Sequence, residues 1–387
     1  MNLSSDIDIE LKKISCLVQS GRLTEALKEV DIAILKNKNE LELYKTKTRI
    51  LDSLGHFNEI IDTWEEGIQN NKNEFLFYQE KVYALKSQNK LEEIIQCYDY
   101  GIMNNKNDPL FYTYKNSELE RQNKKEEVIK VWELGIDNNK TDPYYYKRKV
   151  QALIDLFGAE NSWEKIVQCW DQAIQNGNDA VFYFKSKASA LEQLERWDEV
   201  IQCLNQGINQ HKHVQFLYDD KANYLKKLNR LEAIIECWDD GIKNNPHNRY
   251  FYGKKIKALE DQEKIEQIIK ESSIYIKQFN DIIFYEAKAK CLQIQGMKEE
   301  VIQCWDEGIE QNQYQISFYL KKIEALKNQQ RWIDSIQCCD QVLSKKILES
   351  QEIYSNKEHS LEQLKQFRQA IQYSRLIQSD QNLKFWF

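Results

Sequence analysis

The sequence predicts an all-α protein, an α-α superhelix (solenoid) of about 11 helical hairpins that runs as one array through residues 1–387. Three observations carry this. One nine-residue helical segment recurs 11 times: IIDTWEEGI from Ile60, IIQCYDYGI from Ile94, VIKVWELGI from Val128, IIECWDDGI from Ile234 and VIQCWDEGI from Val301, with weaker copies from Ala26, Ile166, Val200, Ile268, Ser335 and Ala370. Successive copies start 34, 34, 34, 38, 34, 34, 34, 33, 34 and 35 residues apart. A fixed period of that size means that each unit buries its apolar face by stacking on its neighbours. The third observation is composition: only 3 prolines and 12 glycines occur in 387 residues, and no Pro-, Gly- or Ser-rich linker interrupts the repeat.

Each unit contains two helical patterns. The first, helix A, opens on Asp108-Pro109 and Asp142-Pro143 in two units, an N-cap acid followed by proline at the first helical position. It then reads aromatic, Tyr, x, x, Lys, x, x, Ala-Leu, as in FYGKKIKAL from Phe251 and FYLKKIEAL from Phe318. The turn that follows carries Gly21, Gly55, Asn89, Asn123, Asn161, Asn229 or Gly296 at one position, residues that tolerate the left-handed conformation that ends a helix. The second pattern, helix B, has apolar residues at positions 1, 2, 5, 8 and 9, one face of a 3.6-residue period. Position 5 is Trp64, Trp132, Trp170, Trp238 and Trp305 in five units, expected to be buried. Position 8 is small: Gly67, Gly101, Gly135, Gly207, Gly241, Gly308, Ala33 and Ala173. A mid-helix glycine costs ~1 kcal/mol against alanine, so close approach of another helix backbone is expected there.

Two helices per 34 residues, a small residue in helix B with an aromatic three residues before it, and Ala-Leu in helix A: this pattern resembles the tetratricopeptide repeat family over about residues 6–379. The family's leading aromatic matches Tyr44, Tyr78, Tyr112, Tyr146, Phe184, Tyr218, Tyr252, Tyr285, Tyr319 and Tyr354. Its closing proline survives only as Pro246, and its small residue in mid helix A is replaced by Val82, Asn116, Val150, Ile256 or Ile323. The resemblance implies a right-handed superhelix with helix A lining a concave groove, and a scaffold that binds proteins or peptides.

Two columns bear on that surface. Every unit has a lysine three residues after the Tyr position: Lys13, Lys47, Lys81, Lys115, Lys149, Lys187, Lys221, Lys255, Lys288, Lys322 and Lys357. Eight units have an acid at the sixth position of helix B: Asp31, Glu65, Asp99, Glu133, Asp171, Asp239, Asp306 and Asp340. They read either as a cationic stripe for an acidic partner or as a structural ladder of ion pairs over buried lysine stems; the ladder is expected. The residue two before the Tyr position is Leu76, Leu110, Tyr144, Phe182, Phe216, Tyr250 and Ile283 in seven consecutive units. These side chains either pack on the preceding helix B or form an apolar groove for a peptide. The partner-binding expectation is placed on them.

Cys97, Cys169, Cys203, Cys237, Cys304 and Cys338 share one repeat position. Equivalent residues one repeat apart are too distant to bridge, so they read as small buried side chains in a reducing compartment. The first helix has Glu10 at the Tyr position, as a solvent-facing cap would. The tail, residues 380–387, ends in Phe385, Trp386 and Phe387, which either plug the last unit or meet a partner.

A net charge of −7 argues against nonspecific nucleic-acid binding. No apolar run approaches 18 residues, so no membrane span is expected, and the acid-bearing N-terminus reads as no secretory or mitochondrial signal. No phosphate-binding glycine loop and no nucleophile–base spacing is present, and His211-Lys-His213 lacks an acidic ligand set, so neither catalysis, metal nor cofactor is expected. The function expected is a non-catalytic scaffold for protein or peptide partners within a larger complex. The cytoplasm is the expected location, with cilium or cytoskeleton as the setting. Two alternatives come from other classes. An RNA-processing helical-repeat protein would need basic and aromatic residues on one face, whereas Arg49, Arg148 and Lys254 are mixed with Asp219, Asp220 and Glu80. A prenyltransferase alpha-type subunit would need a catalytic partner chain.

Overall fold

The computed structural model describes residues 3–177, 180–345 and 351–364. They form 21 α-helices and, among the described residues, no strand. In chain order the first are α1 (Leu3–Gln19), α2 (Leu23–Lys36), α3 (Leu41–Leu54), α4 (Phe57–Asn70), α5 (Phe75–Ser87), α6 (Leu91–Asn104) and α7 (Pro109–Arg121). Then come α8 (Lys125–Asn138), α9 (Pro143–Phe157), α10 (Trp163–Gln175), α11 (Val181–Gln193), α12 (Trp197–Gln210), α13 (Gln215–Lys227) and α14 (Leu231–Asn244). The last are α15 (Arg249–Glu260), α16 (Ile265–Phe279), α17 (Ile282–Ile294), α18 (Lys298–Gln311), α19 (Ile316–Asn328), α20 (Trp332–Ser344) and α21 (Gln351–Gln363). Odd-numbered helices are helix A and even-numbered helices are helix B. The chain divides into two compact units, residues 1–203 and 204–387, each of them a stack of such hairpins.

Helix ends follow the sequence signals with one correction. Asp108 and Asp142 each accept the backbone N–H two residues on, Leu110 and Tyr144, at 2.9 Å, with proline at the first helical position. Gly21, Gly55, Asn89, Asn123, Asn229 and Gly296 adopt positive φ in the turn between helix A and helix B. Asn161 does not. The four extra residues lengthen α9 to Phe157, and Gly158 takes the positive φ, at 83°. Buried Ser162 then donates its hydroxyl to the carbonyls of Leu153 and Gly158, at 2.8 and 2.7 Å.

The tryptophan column is buried: Trp64, Trp132, Trp170, Trp238 and Trp305 are 3–4% exposed. The glycine column has a different cause from the helix-backbone approach expected. An added Cβ at Gly101 would lie 2.2 Å from Cδ1 of Phe111, at Gly241 2.3 Å from Phe251, and at Gly308 2.5 Å from Phe318. Each glycine makes room for the aromatic ring ten residues later, on helix A of the next hairpin. Those rings stand edge-on against the Tyr column at centroid distances of 4.8 Å (Tyr78–Phe111), 5.0 Å (Tyr218–Phe251) and 5.1 Å (Tyr285–Phe318).

Polar bonds that no hydrophobic period reports tie hairpin to hairpin. The Tyr44 hydroxyl donates to the Lys38 carbonyl in the loop before its own helix, and Asn71, at the end of the next helix B, donates to the same oxygen at 2.8 Å. Tyr78 with Asn105 on Lys72, Tyr112 with Asn139 on Lys106, and Tyr218 with Asn245 on Lys212 repeat the arrangement. A carbonyl in the loop before a hairpin is thus satisfied twice, once from that hairpin's helix A and once from the end of its helix B. The cysteine column closes helix A on helix B: the thiols of Cys97, Cys203 and Cys304 face the carbonyls of Tyr78, Phe184 and Tyr285 at 4.0, 3.4 and 3.8 Å.

Candidate partner-binding surface

Lysine and acid form a ladder. All eight acids of the sixth helix B position meet the lysine of the following helix A. Lys47 Nζ lies 2.8 Å from Asp31, Lys149 3.0 Å from Glu133, and Lys255 2.8 Å from Asp239. Lys81–Glu65, Lys115–Asp99, Lys187–Asp171, Lys322–Asp306 and Lys357–Asp340 complete the set. The lysine side chains are mostly covered, 7–18% exposed, whereas the acids are 39–52% exposed. The stems therefore pad the stack and the ammonium groups are neutralised internally. A free cationic stripe is not what these residues make. At Glu65 burial works to raise the carboxyl pKa, but the hydrogen bond from Lys81 and its charge outweigh it, and the group sits below its ordinary value.

The apolar stripe faces solvent. Leu76 is 51% exposed, and Leu110, Phe182, Phe216 and Ile283 are also exposed, while Tyr144 and Tyr250 are half-buried. These side chains are not filled into the preceding helix B. Two of the aromatic ones lean on the tryptophan column: Tyr144 meets Trp132 edge-on at 6.1 Å and Phe182 meets Trp170 at 5.6 Å. Cations lie over them. Arg148 covers Tyr144 and Trp132 at 5.7 and 5.6 Å, Lys147 covers Phe182 at 4.5 Å, and Lys254 covers Tyr250 and Trp238 at 5.0 and 5.7 Å.

Each compact unit also contains a feature that sequence reasoning missed. Between consecutive A helices, with a helix B tryptophan as floor, a cleft recurs at equivalent positions. One of about 820 Å3 lies between α3 and α5 over Trp64, lined by Arg49, Phe57, Glu80 and Tyr83. One of about 380 Å3 lies between α13 and α15 over Trp238, lined by Asn223, Lys226, Lys254 and Lys257. One of about 260 Å3 lies between α17 and α19 over Trp305, lined by Lys290, Lys321 and Glu324. An ion pair bridges each pair of A helices beside the cleft: Lys45–Glu80 at 3.4 Å, Asp219–Lys254 at 2.7 Å and Glu286–Lys321 at 3.1 Å. The sign reverses between the first and the other two. Opposite charges 35 residues apart, at 45 and 80, 219 and 254, 286 and 321, were the signal available in the sequence.

Other expected features fall away from this face or outside the described residues. Phe385, Trp386 and Phe387, with the last helix B from Ala370, lie outside the described residues. Glu10 is no freely solvated cap: its carboxylate pairs with Lys36 at 2.9 Å. His213 meets the Asn245 side chain at 2.7 Å, and among the described residues no cluster of His, Cys, Asp and Glu has the makings of a metal site. No helix among the described residues is long and apolar enough to cross a membrane.

No family model and no curated protein matches the chain. Among solved structures, one titled "Structure of Naa15/Naa10 bound to HypK-THB" is similar at 11% identity, covering 95% of this chain and 67% of that one, with a TM-score of 0.32. The yeast Tom70 crystal structure is similar at 11% identity over 98% of this chain and 97% of that one, with a TM-score of 0.31. At scores this low neither likeness carries an argument. The helical-hairpin fold rests on the helices and columns themselves.

Proposed function

We propose that this chain is a non-catalytic interaction scaffold of the tetratricopeptide-repeat type, which holds protein or peptide segments on its helix A face. The observation that carries the reading is the recurrence of a tryptophan-floored cleft between consecutive A helices, in a chain whose A helices also expose Leu76, Leu110, Phe182, Phe216 and Ile283. A soluble surface does not present apolar side chains at one repeat position in unit after unit without a use for them. Clefts of a few hundred Å3 suit single side chains of an extended segment, and the variable charges around them supply selectivity. A cytoplasmic complex, with cilium or cytoskeleton as its setting, remains part of the proposal.

Site-specific photo-crosslinking in cells tests it. A photoreactive residue at Tyr83, Leu110 or Phe182 on the helix A face should trap partner chains. The same group at Leu134, exposed on α8, serves as the helix B control. Crosslinks only through Leu134, or none through any helix A position, would refute the scaffold reading as drawn.

A further inference from the structure

On α15 and α17 two charges answer each other across consecutive A helices. Glu260, eight residues after its Tyr position, pairs with Lys290, five residues after the next Tyr position, at 3.0 Å. On α3 the same two positions hold Asp52 and Arg49, and both partners are gone. The place of Lys290 opposite Asp52 is filled by Tyr83 on α5, and the place of Glu260 before Arg49 by Val18 on α1. A second bridge is missing as well. Lys226 and Asp261, which line the cleft over Trp238, pair at 3.0 Å. Asp52 and Ser87 hold those positions in the cleft over Trp64.

Arg49 and Asp52 do not make up the loss with each other. They stand three residues apart on α3, the spacing at which Arg22–Glu25, Arg196–Glu199 and Arg331–Asp334 all pair. Yet neither side chain makes an ion pair or a hydrogen bond among the described residues. Both are exposed, and both line the cleft over Trp64. The other two charges in its lining, Lys45 and Glu80, are spent on each other. The cleft thus presents one free cation and one free anion a helical turn apart. Its apolar lining is Trp64 as floor, Ile60, and the rings of Phe57 and Tyr83, which are 54% and 56% exposed. Its volume of about 820 Å3 falls in the range of small-molecule sites, about 300–1,000 Å3.

We propose that this cleft binds a free α-amino acid with a large apolar or aromatic side chain. The α-carboxylate meets the Arg49 guanidinium, the α-ammonium meets the Asp52 carboxylate, and the side chain lies among Tyr83, Phe57 and Trp64. The charge pattern selects this class. A polyanion meets Asp52 and Glu80 in the same cleft, and a polycation meets Arg49 and Lys45. A zwitterion answers both free charges and leaves the cleft neutral. An internal peptide segment has neither an α-ammonium nor an α-carboxylate, and needs two opposite side chains in their place. The inference goes beyond the scaffold reading and does not rest on it, because a free ligand needs no partner chain.

Isothermal titration calorimetry of the full chain tests it, with L-phenylalanine, N-acetyl-L-phenylalanine and L-phenylalaninamide as ligands. An end-capped peptide containing Phe-Lys-Asp is the fourth arm. L-phenylalanine should bind saturably at one site per chain. The acetylated and amidated forms, each lacking one charge, should bind at least about tenfold more weakly, the difference expected of a lost charge-assisted hydrogen bond. Asp52→Asn should weaken L-phenylalanine to the level of the acetylated form and leave that form unchanged. Arg49→Gln should do the same with respect to the amide. Both side chains are exposed, so the circular dichroism of both variants should match wild type. Asp52→Lys with Ser87→Asp rebuilds the bridge of Lys226 and Asp261 and should abolish binding, with thermal stability equal to wild type or higher. Absence of saturable binding of L-phenylalanine overturns the site, as does equal binding of the two blocked forms or binding untouched by Asp52→Asn and Arg49→Gln. Tighter binding of the capped peptide than of L-phenylalanine, lost in both variants, overturns it in favour of a peptide ligand. Crosslinking at Leu110 and Phe182 judges the scaffold separately, whichever result is found here.

Discussion

Gly101→Ala and Gly253→Ala should change stability in opposite directions. Both glycines lie inside helices, α6 and α15, where alanine is favoured over glycine by ~1 kcal/mol on intrinsic propensity. An added Cβ at Gly253 meets nothing within 4 Å, so that variant should gain close to the full ~1 kcal/mol. At Gly101 the Cβ would lie 2.2 and 2.3 Å from Cδ1 and Cε1 of Phe111, and the ring is fully buried between Tyr78 and Phe75. Overpacking of a filled core costs ~1–3 kcal/mol, so Gly101→Ala should lose ~1–2 kcal/mol net.

The chain contains an indication of how the stack accommodates a methyl group there. Ala173 occupies the glycine position in its hairpin, and the corresponding ring pair, Tyr146–Tyr183, stands at 6.2 Å instead of the 4.8 Å of Tyr78–Phe111. The ring withdraws, so the cost at Gly101 is bounded. Urea unfolding followed by circular dichroism measures both variants. Hydrogen exchange over α6 and α7 is the sharper assay, because a stacked array loosens locally before it unfolds as a whole. Adding Phe111→Leu should relieve part of the loss, since buried Leu217 follows Gly207 by the same ten residues in another hairpin. If Gly101→Ala stabilised as much as Gly253→Ala, the ring would not be the reason for the glycine column.

Five further outcomes are expected. Truncating Trp132 or Trp238 to alanine should cost ~3–5 kcal/mol, read as a fall in urea midpoint. Asn116 is 2% exposed with neither side-chain polar atom bonded, in a position that is Val82, Val150, Ile256 or Ile323 elsewhere; Asn116→Val should stabilise by ~1–2 kcal/mol, seen as a higher Tm. Asp99→Asn should cost no more than ~1 kcal/mol, because the carboxylate is half exposed and the Lys115 stem stays packed; a larger loss in thermal unfolding would mean that the ladder carries stability rather than register. Burial pushes the thiols of Cys97, Cys169, Cys237 and Cys304 up to about 12 from an ordinary 9.0, while Cys16 is exposed. Of the nine cysteines only Cys16 should react promptly with a disulfide reagent at pH 8, and all nine after denaturation. Because the folded values lie above the unfolded one, this contribution is complete below pH 9 and is lost as pH rises from there toward 12. Unfolding midpoints at pH 8 and 10.5 should show the loss.

The fold was legible because repetition multiplies weak evidence. One amphipathic stretch such as that from Ser335 would be ambiguous alone, but 11 in phase fix helix, hairpin and tryptophan burial together. The lysine ladder was legible for a related reason: a cation at 47, 81 or 115 follows an acid by 16 residues every time. Contacts between hairpins were less legible. That Gly101 opposes Phe111 depends on which ring of the next helix points back, and hydrophobic period does not specify direction. The double use of the Lys38 carbonyl by Tyr44 and Asn71 is a matter of single hydrogen bonds, and nothing in an Asn-rich loop distinguishes it from composition. Asn161 misled because the insertion before it moved the left-handed residue back to Gly158.

The candidate site was half legible, and the division has a physical reason. Stacking uses up the columns that scarcely vary. The tryptophan and glycine positions of helix B, and the Tyr and Lys positions of helix A, face neighbouring hairpins and must satisfy the same geometry each time. Positions that look out between A helices have no such duty, and they vary freely. The residue two after the Tyr position is Glu80, Tyr114, Arg148, Ser186, Asp220, Lys254, Ala287 and Lys321 in turn. A regular stripe therefore reports the frame, and irregular positions beside it hold what a partner would read. Leu76 through Ile283 drew notice because they recur, yet the selectivity they frame lies with residues that do not recur. Arg148 shows the difference. Its ring Tyr144 is Leu110 in the unit before and Phe182 in the unit after, and at the position from which Asp219 answers Lys254 it has Thr113.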